Sequence, residues 1–124
     1  MNQKFNDKGI RLYRVSGGYP TRKAIKLHPD LLNHLKSRHP PRIKKNDPKT
    51  LLIYNKYIAR DLYGLDIEFY PGAIIPTPIL RYNFLKHVIK SHSTILEIGT
   101  GASAIIAMLA AKQFHCKVTA TEID

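Results

Sequence analysis

A glycine-rich turn flanked by acidic residues is the part of the sequence best suited to chemistry. Residues 97–103 read EIGTGAS and lie between an apolar run at 94–96 and a second apolar run at 104–111. This order predicts a strand, a turn and a helix whose first backbone N–H groups face a bound ligand. A further apolar run at 118–121 ends on Glu122, and an acid there can accept hydrogen bonds from both hydroxyls of a ribose.

The residue types in this turn favour S-adenosylmethionine over NAD. A dinucleotide fingerprint has a third glycine where this sequence has Ser103. Glu97 lies two residues before Gly99, and its carboxylate would attract an ammonium group and repel a pyrophosphate. S-adenosylmethionine carries an α-amino group and no phosphate. An NAD-type site and a turn that only packs a helix on its strand remain as alternatives.

Arg81 is the second candidate for cofactor binding. Thr77 and Pro78 predict a helix start, which places Arg81 in the first turn, where the helix dipole disfavours a cation. An anionic partner would explain this placement, and the carboxylate of a methionine moiety is a natural candidate. Simple surface exposure is the alternative. For the ribose, Glu122 is favoured over Asp124, which lies two residues further on.

Positive charge is concentrated in the first half of the chain. Of the net charge of +11, residues 1–60 carry 15 Lys and Arg against 3 acidic residues, whereas residues 61–124 carry 5 against 6. This segregation favours a polyanionic partner for the first half, with RNA as the expected partner. A strongly amphipathic basic helix is not evident, which argues against a membrane surface.

Helix signals and chain length indicate two parts. Asp47 and Pro48 predict the start of a helix that ends at Gly64, and a shorter helix is expected from Pro29. Residues 42–46 are expected to form an exposed basic loop. We therefore expect a basic, mostly helical module at 1–72. At 73–124 we expect an α/β segment in which strand 94–98, helix 103–112 and strand 117–121 form a parallel βαβ unit.

Three blocks in this order resemble the RNA adenine-N6 methyltransferases. They are residues 75–84 (IPTPILRYNF), 97–103 (EIGTGAS) and 120–124 (ATEID). The family includes the bacterial large-subunit rRNA enzyme and a eukaryotic enzyme that acts on a spliceosomal small nuclear RNA. The resemblance implies a class I (Rossmann-like) fold that transfers a methyl group from S-adenosylmethionine to adenine N6 in structured RNA.

The resemblance also assigns roles to residues of this chain. Arg81 would hold the cofactor carboxylate, Glu97 would lie near its amino group, and Glu122 would bind the ribose. The remaining residues of the predicted cofactor site are Gly99, Thr100, Gly101 and Ser103. The basic module would contact RNA, with Arg42, Lys44 and Lys45 as the expected phosphate contacts.

No catalytic residue is predicted in these 124 residues. The family's Asn-Pro-Pro-Phe loop, which holds the flipped-out adenine, does not occur in the sequence. The predicted helix at 103–112 is apolar on nearly every side and would need more cover than two strands supply. We therefore expect a fragment of a longer methyltransferase domain that is inactive by itself. The alternatives are a non-catalytic RNA-binding module, an NAD-type domain, and a methyltransferase acting on protein or small molecules.

Composition excludes several other classes. No apolar run is long enough to span a membrane, and the polar N-terminus lacks a signal-peptide core. A single cysteine, Cys116, cannot form an internal disulfide, so a cytoplasmic location is expected and Cys116 is interpreted as a packing residue. No metal site is expected.

Overall fold

The computed structural model describes residues 4–5, 11–12, 19–69, 72 and 75–123. Asp124, the alternative ribose-binding residue, lies outside the described residues. The elements in chain order are β1 (Lys4–Phe5), β2 (Arg11–Leu12), α1 (Thr21–Leu27), a 3₁₀ helix (Pro29–His34), β3 (Leu35–Arg38), β4 (Pro41–Ile43), α2 (Pro48–Tyr63), α3 (Pro78–Val88), β5 (Thr94–Ile98), α4 (Ile105–Phe114) and β6 (Lys117–Thr121).

Helix α2 begins and ends where the sequence predicts. Asp47 is the N-cap residue and Pro48 the first helical residue, and Gly64 ends the helix in the left-handed conformation at φ 68°. The N–H of Leu65 donates to the carbonyl of Ala59, which closes the last turn. An L-residue is strained at that φ, so glycine is favoured there.

The segment before α2 differs from its prediction. The helix expected from Pro29 is a short 3₁₀ helix, and β3 and β4 follow it as an antiparallel hairpin. The expected exposed loop at 42–46 is therefore wrong for its first two residues, which lie in β4. The hairpin forms because pairing with β3 lets Ile43 bury its side chain to 6% exposure. Among the described residues of the module, α1 is a helix that the sequence analysis did not predict.

The predicted βαβ unit is confirmed. Strands β5 and β6 pair in parallel over their full five residues, from Thr94 opposite Lys117 to Ile98 opposite Thr121. Helix α4 connects them but begins at Ile105, two residues later than predicted, because Ala104 adopts a positive φ of 50° and belongs to the turn.

One hydrophobic cluster includes residues from both sides of the predicted boundary at residue 72. Its most buried members include Leu31, Leu85 and Leu109, at 0–1% exposure. The outward face of β5 is uncovered, since Leu96 is 65% and Ile98 82% exposed. Helix α4 is likewise only partly covered: Ile105 and Leu109 are buried, and Ile106 and Met108 are half-buried. A further layer would be needed to bury these surfaces.

Candidate functional site

Two glycines with positive φ set the conformation of the turn between β5 and α4. Gly99 and Gly101 have φ of +74° and +82°, which L-residues rarely adopt. A Cβ added at either position would have no heavy atom within 4 Å, so glycine is favoured there by backbone conformation and not by crowding. The N–H groups of Gly99 and Thr100 both donate to the carbonyl of Thr121, each at 2.9 Å. The turn therefore stays attached to the end of β6.

Glu122 lies against this turn. Its Oε2 accepts a hydrogen bond from the N–H of Gly101 at 2.6 Å, and its Oε1 accepts one from the N–H of Ile123 at 3.2 Å. A carboxylate has about four acceptor positions. Glu122 is exposed and thus keeps acceptor capacity for further donors, such as two ribose hydroxyls.

Two oxygen atoms beside the turn are buried without partners. Neither Glu97 Oε1 nor Thr100 Oγ1 has a hydrogen-bond partner within the described ranges. Leaving such an atom unsatisfied costs about 1–3 kcal/mol. The carboxylate oxygen would be satisfied by a donor such as an ammonium group, and the hydroxyl by a donor or an acceptor. This is the feature expected of a site that binds a polar ligand.

Arg81 has the position predicted for it, but the structure does not join it to the turn. It is half-buried in the first turn of α3, and no hydrogen bond or ion pair of its guanidinium is found in the described part of the chain. Its neighbour Tyr82 packs between the rings of Tyr63 and Phe114, at centroid distances of 5.0 and 5.5 Å. Tyr82 is therefore a core residue, whereas Arg81 remains available to an anion. Ser103 is half-buried just before α4.

The three predicted RNA contacts are all exposed. Arg42 lies in β4, and Lys44 and Lys45 follow it in the turn that leads to α2. Lys44 and Lys45 line an open pocket of about 430 Å³ at the start of α2, and Lys36 of β3 lines it as well. Sequence reasoning missed Lys36 because its position depends on the unpredicted hairpin.

Sequence reasoning also missed a buried polar cluster within the basic module. Asp61 of α2, 2% exposed, accepts a hydrogen bond from the hydroxyl of Tyr19 and pairs with Nε2 of His28 at 2.6 Å. The ring of His28 stacks on Tyr57 at 3.6 Å. Burial and the bond to Asp61 raise the pKa of Tyr19 well above its ordinary value. Tyr19 precedes α1 and His28 follows it, so these contacts connect both ends of α1 to α2.

Among the residues that the structure describes, no group of three or more His, Cys, Asp or Glu could hold a metal ion. None of the helices in those ranges combines the length and apolarity needed to cross a membrane. Cys116 is buried at 7% exposure, with its thiol 3.5 Å from the carbonyl of Lys90.

Sequence comparison finds relatives among methyltransferases, although no family model matches the chain. It is 40% identical over 115 residues to a Methanocaldococcus jannaschii protein named as a proposed methyltransferase, covering 86% of this chain and 44% of that protein. It is 30% identical over 109 residues to the human RNA N(6)-adenosine-methyltransferase METTL16, covering 78% of this chain and 19% of that protein. The chain thus spans less than half the length of these relatives.

Solved structures show the same relationship. A methyltransferase from Pyrococcus furiosus matches with a TM-score of 0.60 at 51% identity, over 61% of this chain and 39% of that one. The human METTL16 catalytic domain in complex with an RNA hairpin matches at 0.71 and 26% identity, over 87% and 41%. The N-terminal domain of human METTL16 with S-adenosylhomocysteine matches at 0.73 and 24% identity, over 88% and 47%. Over the length that it shares with these relatives, the chain has the class I methyltransferase fold and is related to the RNA adenine-N6 methyltransferases.

Proposed function

We propose that this chain is the cofactor-binding part of an S-adenosylmethionine-dependent methyltransferase that acts on adenine N6 in structured RNA. The observation that carries the proposal is the pair of buried, unpartnered oxygens of Glu97 and Thr100 beside a turn held by Glu122. A ligand with hydrogen-bond donors near the carboxylates of Glu97 and Glu122 fits this arrangement. The N-terminal domain of human METTL16 was crystallised with S-adenosylhomocysteine, which supports this choice of ligand.

The residues of this chain bind and orient the cofactor. Glu97 Oε1 would accept a hydrogen bond from the amino group, because it is a buried acceptor without a partner in the described residues. Glu122 would accept from the ribose hydroxyls while it keeps its bond to Gly101. Arg81 would pair with the cofactor carboxylate. The cofactor supplies an activated methyl group, and none of the residues named here takes part in its transfer.

RNA is the proposed substrate because most of the positive charge lies in the first half of the chain, where three exposed lysines lie close together. Residues 1–60 carry 15 of the 20 Lys and Arg residues. Lys36, Lys44 and Lys45 line one open pocket together with Asn46, Asp47 and Pro48, and phosphates of a folded RNA can lie at the three lysines. The METTL16 catalytic domain was crystallised with hairpins of the MAT2A 3′UTR, which supports a structured RNA. We propose a ribosomal or small RNA as the substrate; a cytoplasmic location likewise remains a prediction.

Calorimetry with S-adenosylhomocysteine tests the cofactor site in the 124-residue chain. We expect Glu122→Ala to weaken binding by about 1–3 kcal/mol, or roughly 5- to 150-fold in Kd. Glu122→Gln should lose less, because its amide oxygen can still accept from Gly101. Glu68→Ala is the matched control, since Glu68 is exposed and lies 3.8 Å from Lys56. Binding of NAD in place of S-adenosylhomocysteine would overturn the proposal in favour of the dinucleotide alternative.

Titration with RNA tests the basic surface separately. Lys44→Glu combined with Lys45→Glu should weaken RNA binding and flatten its dependence on salt, without changing affinity for S-adenosylhomocysteine. The control is Lys86→Glu with Lys90→Glu, which makes the same charge change at exposed positions outside the basic module. Retained RNA binding with no cofactor binding would instead favour a non-catalytic RNA-binding module.

Methyl transfer is the third measurement. The 124 residues contain no Asn-Pro-Pro-Phe sequence, so we expect the chain alone to bind cofactor and RNA without forming N6-methyladenosine. Nucleoside analysis by mass spectrometry after incubation with S-adenosylmethionine checks this. Formation of N6-methyladenosine by the chain alone would show that its own residues suffice for catalysis.

A further inference from the structure

A cleft of about 480 Å³ lies on the side of α2 that faces α1, β4 and the beginning of α3. Its volume is in the range typical of small-ligand sites. Its walls are largely apolar, with Ile43 and Ile58 among them, and Asn55, Thr77 and Lys45 supply polar groups. Thr77 lies at the start of the helix that carries Arg81, so the cleft borders the element assigned to the cofactor.

Asn55 is the informative residue in this cleft. It is 4% exposed, and its Nδ2 donates to the carbonyl of Leu51 at 2.9 Å. Its Oδ1 accepts no hydrogen bond from any residue that the structure describes and does not belong to the fully buried oxygens without a partner, so it is accessible from the cleft. A carboxamide that lines a cleft with a spare acceptor beside a spare donor is suited to the edge of a nucleobase.

Lys45 connects this cleft to the basic surface. It lines the cleft together with Asn55, and it lines the neighbouring open pocket together with Lys36 and Lys44. A nucleotide whose base enters the cleft therefore has its phosphate next to one lysine. The phosphates before or after it in the strand can reach the other two.

We propose that the cleft binds one unpaired nucleotide of the RNA, with its base against Asn55 and its phosphate at Lys45. Single-stranded bases in loops and bulges are the parts of RNA that proteins read by hydrogen bonds on base edges. This inference rests on the proposed function, because it takes RNA as the substrate. It adds a position where the protein recognises a base other than the methylated adenine.

NMR titration of the ¹⁵N-labelled chain with mononucleotides and trinucleotides tests the proposal. We expect AMP, CMP, GMP or UMP to shift the side-chain amide of Asn55 and the backbone amides of Leu51 and Thr77. A trinucleotide should bind at least tenfold more tightly than its mononucleotide at low salt, because it also reaches Lys36 and Lys44. S-adenosylhomocysteine should not compete with the nucleotide.

Variants separate the base contact from the phosphate contact. Asn55→Leu should weaken mononucleotide binding at least fivefold, and Lys45→Ala should weaken the nucleotide but not the corresponding nucleoside. Lys49→Ala is the matched control, since Lys49 is exposed on α2 and does not line the cleft. If Asn55→Leu fails to fold, Leu51→Trp, which fills the cleft from a half-buried position, should abolish the shifts.

Three results would overturn the inference. They are shifts that avoid Asn55, equal nucleotide affinity in the wild type and Asn55→Leu, and displacement of the nucleotide by S-adenosylhomocysteine. If the wild-type chain does not bind S-adenosylhomocysteine, the proposed function is refuted instead. The two failures are therefore distinguishable.

Discussion

Two tyrosines donate to two aspartates in different surroundings, and this contrast makes a sharp prediction about stability. Tyr19, 5% exposed, donates to the buried carboxylate of Asp61. Tyr57 donates at 2.7 Å to Asp30, which is exposed. Tyr19→Phe and Tyr57→Phe each remove one hydroxyl group and keep the ring, so the comparison tests how burial of the hydrogen bond affects its contribution to stability.

The expected magnitudes follow from what replaces the hydroxyl. In Tyr19→Phe, Asp61 keeps the contact with His28 at 2.6 Å but loses a donor that water cannot easily replace. A hydrogen bond to a buried charge contributes about 1.5–3 kcal/mol, so we expect a loss of about 2 kcal/mol. In Tyr57→Phe water can reach Asp30, and the loss should be below about 0.5 kcal/mol.

Urea unfolding followed by circular dichroism measures both values. For a domain of this size, about 2 kcal/mol corresponds to a fall in Tm of roughly 6–10 °C. The pH dependence is a second check. The pKa of Tyr19 is raised in the folded state, so its contribution to stability is present below the ordinary value of 10.0 and is lost as pH rises above it. Tyr19→Phe should therefore lose stability more slowly above pH 10 than the wild type.

Equal destabilisation by the two substitutions would refute this reasoning, because burial would then have no effect on the bond. A double-mutant cycle gives a further test. In an Asp61→Asn background the acceptor is neutral, so Tyr19→Phe should cost less than it does in the wild type. An unchanged cost would show that the hydroxyl acts through packing and not through the carboxylate.

Three other predictions concern single positions. A hydrogen bond from the Thr50 hydroxyl lowers the pKa of Asp47 in the folded state. The ionised Asp47 therefore stabilises the fold above its ordinary pKa of 3.8, and this contribution is lost as the pH falls further. The unfolding free energy of Asp47→Asn should accordingly fall less steeply from pH 4 to 2 than that of the wild type, as measured by urea unfolding. Gly101→Ala should destabilise the fold by about 1 kcal/mol in urea, because its φ is +82° while the space around it is open; an unchanged midpoint would contradict the conformational argument. Leu96→Lys should change the unfolding free energy by less than about 0.5 kcal/mol and reduce self-association in light scattering, because Leu96 is 65% exposed; a larger loss would show that its side chain is packed.

Elements with strong local signals were predictable from the sequence. Asp47-Pro48 and Gly64 fixed the two ends of α2 through their backbone preferences. The βαβ unit followed from the glycines between two apolar runs. The hairpin of β3 and β4 was not predictable, because its strands are only four and three residues long and form where Ile43 is buried by distant residues.

The candidate site was also predictable where it depends on residue types alone. The turn and Glu122 could be located from residue types, and the structure joins them through a bond between residues 21 positions apart. The unpartnered state of Glu97 Oε1 could not be predicted, since it depends on which groups approach it in three dimensions. The same holds for the bond of Tyr19 to Asp61, which joins residues separated by 42 positions.

Helix α2 connects the basic surface to the glycine turn. Its sixteen residues span about 24 Å, and its first turn borders the pocket of Lys36, Lys44 and Lys45. At its other end the carbonyl of Tyr63 accepts a hydrogen bond from Nε2 of Gln113 of α4 at 2.9 Å. Helix α4 in turn begins at the glycine turn. If the chain acts as proposed, methyl transfer requires a defined distance between the bound RNA and the cofactor. On the proposed function, α2 and α4 together would set the distance between the lysines that border the start of α2 and the glycine turn.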